Sequence, residues 1–280
     1  MEVGVRKIGT EAFIPMINET RKIKEIQSWK QKVQEATMGQ RAALLFSNLP
    51  ETGEIDRTII FSPGALTKAK YLLISIQKIE QFKYDLKSPS KIHVSIGFET
   101  LMADCNFLKE TKNDEFEQGN GLYSAGVSHA LLELQKPVFI KGNDICLGAK
   151  LDSQKPTECR FAFHGRALKI LSSIDEIKRF RRKQREGIID RIESETAIIC
   201  VGLFKKETNL ETFNGMSVLI GENNVHGKVE NAFGKSGKVR IAVRNGLSEE
   251  IKNAVKNGEK VKVLLKMKKF IGVNKIVEDV

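Results

Sequence analysis

Along most of this chain apolar residues return at every second position, not at every third or fourth. Ile92, Val94 and Ile96 share one side of a run whose other side is Lys91, His93 and Ser95, and Val239, Ile241 and Val243 alternate with Lys238, Arg240 and Ala242. Such runs, cut by Gly and Asn clusters a few residues apart, predict short antiparallel strands rather than helices. The pattern is densest between Val201 and Ser248. Val218 to Ile220 stops at Gly221, Glu222-Asn223-Asn224 reads as a turn, Val225 to Phe233 restarts as a strand, and Gly234-Lys235-Ser236-Gly237 turns again. One short helix is expected beyond it: Ser248 can cap it, Glu249 and Glu250 lie in its first turn, and Gly258 follows its end. The expected fold is all-β, with tandem small antiparallel β-barrels and a C-terminal basic β-barrel that carries the helix.

Three modules are expected, at residues 1–63, 64–177 and 178–280. In the first, Phe13-Ile14-Pro15 opens a run, Arg21 to Trp29 reads as a charged, half-buried strand, and Ala42 to Phe46 as a short buried one. In the second, strands are expected at Tyr71 to Ile76, Lys91 to Gly97, Ala130 to Leu134, Pro137 to Ile140 and Cys159 to Gly165. The polar, Gly-rich stretch from Lys109 to Ser128 reads as a surface loop. In the third, Ser172 to Glu176 reads as a connector and a basic run from Lys178 to Arg191 follows. The last strand, Lys260 to Phe270, sets Val261, Val263, Leu265 and Met267 on one face and Lys260, Lys262, Lys266 and Lys268, broken by Leu264, on the other. That second face is either an edge guarded against aggregation or a ladder facing RNA.

Charge changes the picture because it is uneven. Of the formal net charge of +11, nearly all falls in residues 178–280, which hold twenty-two Lys/Arg against thirteen Asp/Glu. A basic excess gathered in one module points to a polyanion, most often nucleic acid; the alternative is ordinary solubility charge. Arg179, Arg181, Arg182, Lys183 and Arg185 crowd too closely to be neutralised locally, so they are candidates for phosphate contact, or else a solvated linker face. Lys205, Lys206, Lys235, Lys238 and Arg240 extend the candidate RNA-binding set along the turns and rim of the last barrel. The 280 residues suffice for two or three small cores. No run approaches the ~18 apolar residues of a membrane span, and the first residues contain no apolar secretory segment. The four cysteines are far apart with no C-x-x-C pair, which fits a reduced, cytosolic protein better than a zinc site or a disulfide scaffold.

Candidate enzyme chemistry is sparse. There are no paired carboxylates at a telling spacing, no metal spacing and no nucleophile–base set. His93 and His164 have no such partners and read as barrel-wall residues. The one Gly-Lys-Ser/Thr, Gly234-Lys235-Ser236, has Val229 where a phosphate loop requires Gly, and a strand follows it instead of a helix. Asn274-Lys275-Ile276-Val277 ends in Val where a guanine-reading motif requires Asp. The chain itself is therefore expected not to be an enzyme.

The set LFKKETN, then GK-x-x-x-AFGKSGK, then a basic strand and NGLS, resembles the fourth, C-terminal domain of eukaryotic selenocysteine-specific elongation factors. IHVSIGFETLMADCNFL, LLELQKPVFI and CRFAFHG resemble domain 3 of the same factors and, more distantly, the third barrel of elongation factor Tu. IP, KIKEIQSW and GQRAALLF resemble domain 2 of translational GTPases, here without the family's opening strands of that barrel. The resemblance implies part of a selenocysteine-specific translation elongation factor, one that binds selenocysteinyl-tRNA and supports its GTP-dependent delivery to the ribosome at recoded UGA codons. It implies as partners selenocysteine tRNA, the ribosome, and selenoprotein mRNA with its SECIS-binding protein, in the cytoplasm and also the nucleus, with no membrane. GTP and Mg are implied for the full-length family and neither is expected in this chain. By the same resemblance Arg41 lies in the selenocysteine pocket, where a fixed guanidinium favours an ionised selenol over a serine hydroxyl; from sequence alone it would be a structural arginine paired with a carboxylate. The alternative to this reading is a stand-alone, non-catalytic RNA-binding or assembly protein built from elongation-factor barrels.

Overall fold

The structure is a computed structural model and describes residues 6–49, 60–152, 157–234, 237–273 and 275–279. Strand outweighs helix by 55% to 6%, so the period-two alternation is expressed as an all-β fold. The chain divides into two units, residues 1–107 with 120–176 and residues 108–119 with 177–280.

The first unit opens with short strands: β1 (Arg6–Lys7), β2 (Glu11–Ile14), β3 (Glu19–Ser28), β4 (Gln31–Val33), β5 (Glu35–Ala36) and β6 (Ala43–Phe46). β2, β3 and β4 are consecutive antiparallel neighbours, β6 lies against β3, and β1 pairs with β5. Ala12, Ile14, Ile23, Ile26 and Phe46 form their core. β6 differs from the buried strand expected: only Phe46 is buried and Leu45 is 55% exposed, because successive side chains alternate across a sheet with one covered face. Trp29 is not in β3 but at its tip. Ser28 pairs with Gln31, so Trp29 and Lys30 form a two-residue hairpin at φ 52° and 65°. Asn and Gly are the usual residues there, and Trp29 is 86% exposed.

The same unit holds a closed barrel. Its strands are β7 (Thr67–Ser75), β9 (Ser90–Ile96), β10 (Glu99–Glu110), β12 (His129–Ile140), β13 (Ile145–Ala149) and β14 (Phe161–Leu171), with the two-residue β8 (Gln77–Lys78) paired to β14; β11 (Phe116–Gln118) belongs to the second unit. The order β7-β14-β13-β9-β10-β12 returns to β7. Leu72, Ile74, Ile92, Val94, Ile96, Phe107, Leu132 and Phe163 fill the interior, each such side chain contributing about 1.5–3 kcal/mol on burial. Gly165 is required by close approach: a Cβ there would lie 1.7 Å from the Ser75 carbonyl oxygen. The two runs expected around Gln135-Lys136 are one strand, β12, whose register shifts between Glu133 and Val138.

The second unit is another closed barrel, built from β15 (Arg179–Ser194), β16 (Ala197–Val201), β17 (Ser217–Ile220), β18 (Val225–Phe233), β19 (Lys238–Ala242) and β20 (Lys262–Phe270), with the short β21 (Ile276–Glu278) on β20. The order β15-β16-β19-β18-β17-β20 closes through β15–β20 pairing. Ile198, Cys200, Val218, Ile220, Val239, Ile241, Val263 and Leu265 line it. Helix α1 (Glu249–Lys256) inserts Ile251, and the Ser248 hydroxyl accepts from the Ile251 amide at 3.4 Å. Two expectations change here. The basic run is not a linker but the start of β15, because Phe180, Gly187 and Ile189 are buried among it. Part of the expected Lys109–Ser128 loop is strand: Phe116 and Gln118 are buried and β11 pairs in parallel with β15 at Arg179 and Phe180.

Candidate nucleic-acid interface

The register of the second barrel brings most of the cations singled out in the sequence toward one end. The start of β15, the end of β16, the β18–β19 turn and the end of β20 all lie there. β15 and β20 place Arg181 opposite Lys269, Arg182 opposite Lys268, and Gln184 opposite Lys266. Like charges directly opposed across a ladder are destabilising, so what compensates each pair is informative.

Arg182 and Lys268 are compensated. Asp279 lies 3.0 Å from the Arg182 Nε and 3.8 Å from the Lys268 Nζ, and Glu117 lies 3.6 Å from Arg182. Arg181 and Lys269 are exposed and have no ion pair among the described residues, and the same holds for Lys183 and Lys266. Lys238 and Arg240 are clamped by carboxylates of β15, across β16, and of the adjacent β18. Lys238 donates to Asp190 at 2.8 Å, and Arg240 binds Glu193 and Glu230. The hydrogen bond to Glu193, then its charge, raises the Arg240 pKa further above its ordinary value.

The loop after β16 supplies the next pair. Leu203 and Phe204 are buried, Lys205 and Lys206 are exposed, and the Thr208 amide donates to the Lys205 carbonyl at 2.9 Å to close a turn. The β18–β19 turn packs against it. Gly237 has φ 77°, and a Cβ there would lie 2.9 Å from the Phe204 carbonyl oxygen and 3.3 Å from the Lys206 amide nitrogen. Lys235 lies outside the described residues.

Of the other sequence candidates, Arg179 is 6% exposed and buried at the β11 junction. Arg185 is turned onto two aromatic rings, 5.1 Å from the Phe204 centroid and 4.9 Å from that of Phe213. Arg41, in the first unit, is exposed, and its carbonyl accepts from the Ser28 hydroxyl at 3.2 Å. The carboxylate partner that the sequence alone suggested for Arg41 is not found among the described residues. Sequence reasoning passed over Lys269 and left Lys266 open between two readings; the signal was the β15–β20 register, which needs both strands at once.

Of the Gly-Lys-Ser segment, Lys235 and Ser236 lie outside the described residues and only its surroundings are described. Its flanks Phe233 and Lys238 are paired in a hairpin and β19 follows directly, so no helix terminus is available to phosphates. Among the described residues no group of three His, Cys, Asp or Glu side chains could hold a metal ion, and no helix is long and apolar enough to cross a membrane.

Tandem closed six-stranded barrels, one with a basic end, make up an elongation-factor fold. Residues 175–274 match the family described as the eEFSec C-terminal RIFT domain, and residues 73–124 and 111–165 match the third domain of eukaryotic selenocysteine-specific elongation factors. The selenocysteine-specific elongation factor of Mus musculus is 27% identical over 297 residues, covering 89% of this chain and 51% of its own length. That of Methanocaldococcus jannaschii is 26% identical over 271 residues, covering 95% and 54%. Two crystal structures of translation elongation factor SelB from Methanococcus maripaludis share the fold. The apo form has a TM-score of 0.70 at 23% identity over 96% of this chain and 57% of that one, and the complex with the GTP analogue GppNHp has 0.72 at 24% over 95% and 56%. Both family models are domains of selenocysteine-specific elongation factors, and it is the C-terminal part of those factors that this chain matches. It spans about half the length of the curated relatives it matches.

Proposed function

We propose that this chain supplies the tRNA-handling barrels of a selenocysteine-specific elongation factor. It binds selenocysteinyl-tRNA and supports GTP-dependent delivery to the ribosome at recoded UGA codons, with the selenoprotein mRNA and its SECIS-binding protein as further partners in the cytoplasm. The functional division is into residues 1–63, 64–177 and 178–280. GTP chemistry is assigned to no residue of this chain. Arg41 is assigned to the selenocysteine side chain, as a permanent positive charge that favours a selenolate over a neutral hydroxyl.

The observation that carries the reading is Arg181 opposite Lys269 with no carboxylate between them among the described residues. Elsewhere on the same barrel Lys238, Arg240, Arg182 and Lys268 each have an acidic partner. A like-charge pair left bare, at the barrel end that also carries exposed Lys183 and the Lys205–Lys206 turn, favours a polyanionic backbone as its neutralising partner.

The test is a titration of the chain with selenocysteine tRNA, and with serine tRNA for comparison, across a KCl series. Replacing Arg181 and Lys269 by Ala together is expected to lower the slope of log K against log salt by about two. Lys238→Ala, which removes a cation already neutralised by Asp190, is expected to leave it unchanged. An unaltered slope and affinity in the Arg181/Lys269 variant would overturn the assignment.

A further inference from the structure

Arg185 belongs by sequence to the basic run, yet it is built differently from its neighbours. Residues 181–184 are exposed and Arg185 is half-buried. Its guanidinium lies over both Phe204 and Phe213, whose ring centroids are 4.8 Å apart. Its Nη1 donates to the Leu203 carbonyl at 3.3 Å. The next residues along the chain are buried Phe204 and the exposed pair Lys205 and Lys206. Gly237 abuts the backbone of the same three residues. The turn is thus held by the guanidinium at Leu203 and by the β18–β19 hairpin at Phe204 to Lys206.

We propose that Arg185 is a positioning residue for RNA binding and not a phosphate contact: it fixes the Leu203–Lys206 turn so that Lys205 and Lys206 meet the phosphate backbone in a set geometry. This rests on the reading of that barrel end as the RNA-binding surface. The planar fork suits the task, because it stacks on two rings and donates in its own plane at once. An ammonium is a point charge on a flexible stem and offers neither a flat face to stack on two rings nor a fixed fork. Preordering the turn also removes an ordering cost that two long side chains would otherwise meet on binding.

The test is a double-mutant cycle on the full chain, with selenocysteine tRNA and with a plain RNA duplex as probes. Arg185→Lys is compared in the native background and in one carrying Lys205→Ala and Lys206→Ala. Arg185→Lys is expected to weaken binding about tenfold in the native background, the scale of one lost cation–π and carbonyl contact, and not at all in the second, because it acts only through those lysines. Arg185→Met keeps a stem that packs on the rings but loses charge and hydrogen bond, and should behave like Arg185→Lys. Amide exchange at residues 203–208, measured without RNA, is expected to quicken in both variants. Equal weakening in both backgrounds would make Arg185 a direct phosphate contact and overturn the proposal. Unchanged affinity with quickened exchange would leave Arg185 a purely structural residue and overturn it too. If the native chain binds neither probe, the RNA-binding reading falls first; that outcome is separable because the Lys205/Lys206 variant would then also be silent.

Discussion

Gly237→Ala is the substitution that most directly tests how the basic turn is assembled. Two costs are expected. A residue with a Cβ at φ 77° is strained by about 1–2 kcal/mol. The new Cβ would also lie 2.9 Å from the Phe204 carbonyl oxygen and 3.3 Å from the Lys206 amide nitrogen. Both are backbone atoms, which cannot swing aside, so a further ~1–3 kcal/mol of overpacking is expected. Gly234→Ala is the matched control: it has φ 70° in the same turn but nothing within 4 Å of its Cβ, so only the first cost applies. With a urea dependence of about 1–3 kcal/mol per molar, the two variants should differ in midpoint by roughly 0.5–1.5 M. Amide exchange in β16, β18 and β19 across a urea series reads this for the second barrel alone. Gly237→Ala should also weaken tRNA binding, because the hairpin must leave the Lys205–Lys206 turn. Equal midpoints for the two variants would show that the hairpin and the turn are not packed together in solution, and the geometry assigned to the basic end would fall with that contact.

Thiol chemistry gives a second check. Burial pushes the Cys146 and Cys200 thiols up to about 12 and holds Cys105 well above its ordinary value, while Cys159 is partly exposed; alkylation of the native chain at pH 8 followed by peptide mass mapping should mark Cys159 first, and earlier labelling of Cys200 would contradict the packed core. The Glu176 carboxylate accepts the Ser172 amide at 2.7 Å and the Ser173 amide at 3.1 Å, which lowers its pKa. A lowered folded-state value means the stabilisation is present above the ordinary carboxylate range and is lost as pH falls through the lowered value. Glu176→Gln should therefore flatten the acid limb of a stability–pH profile, and an unchanged limb would count against these bonds. Ser248→Ala removes the cap of α1 and should cost about 0.5–1 kcal/mol in denaturant midpoint analysis; no change would mean the long 3.4 Å contact does not hold in solution.

The strands were legible where one face is buried and the other wet. Ile92, Val94 and Ile96 in β9 and Val239 and Ile241 in β19 announce themselves because each lies in an antiparallel wall with a single covered side. β11 was not legible, since three polar-flanked residues make too short a pattern and acquire strand character from two partners, β10 just upstream and β15 some sixty positions away. The charge of β15 hid its strand for a related reason: long cationic side chains point out from both halves of the alternation, and Phe180 and Gly187 alone do not make a pattern. For the candidate site, the sequence located the basic end but could not rank its cations. Asp190 and Glu193 reach Lys238 and Arg240 from β15, and Asp279 reaches Arg182 from beyond β21. Proximity in space decides which charges are spoken for, and residue type does not carry that information.

The hairpin at Trp29 and Lys30 has an optical consequence. The protein has one tryptophan, and it stands almost fully in water at the tip of β3. Neither closed barrel contains an indole. Emission excited at the red edge of protein absorbance therefore starts at a solvent-like wavelength and reports on the first few strands alone. A melting curve recorded in that channel would stay nearly flat while both barrels unfold, so their cooperativity has to be followed through tyrosine, circular dichroism or exchange. The same silence makes Trp29 a clean local probe, since any blue shift or quenching on adding a partner would come from that hairpin.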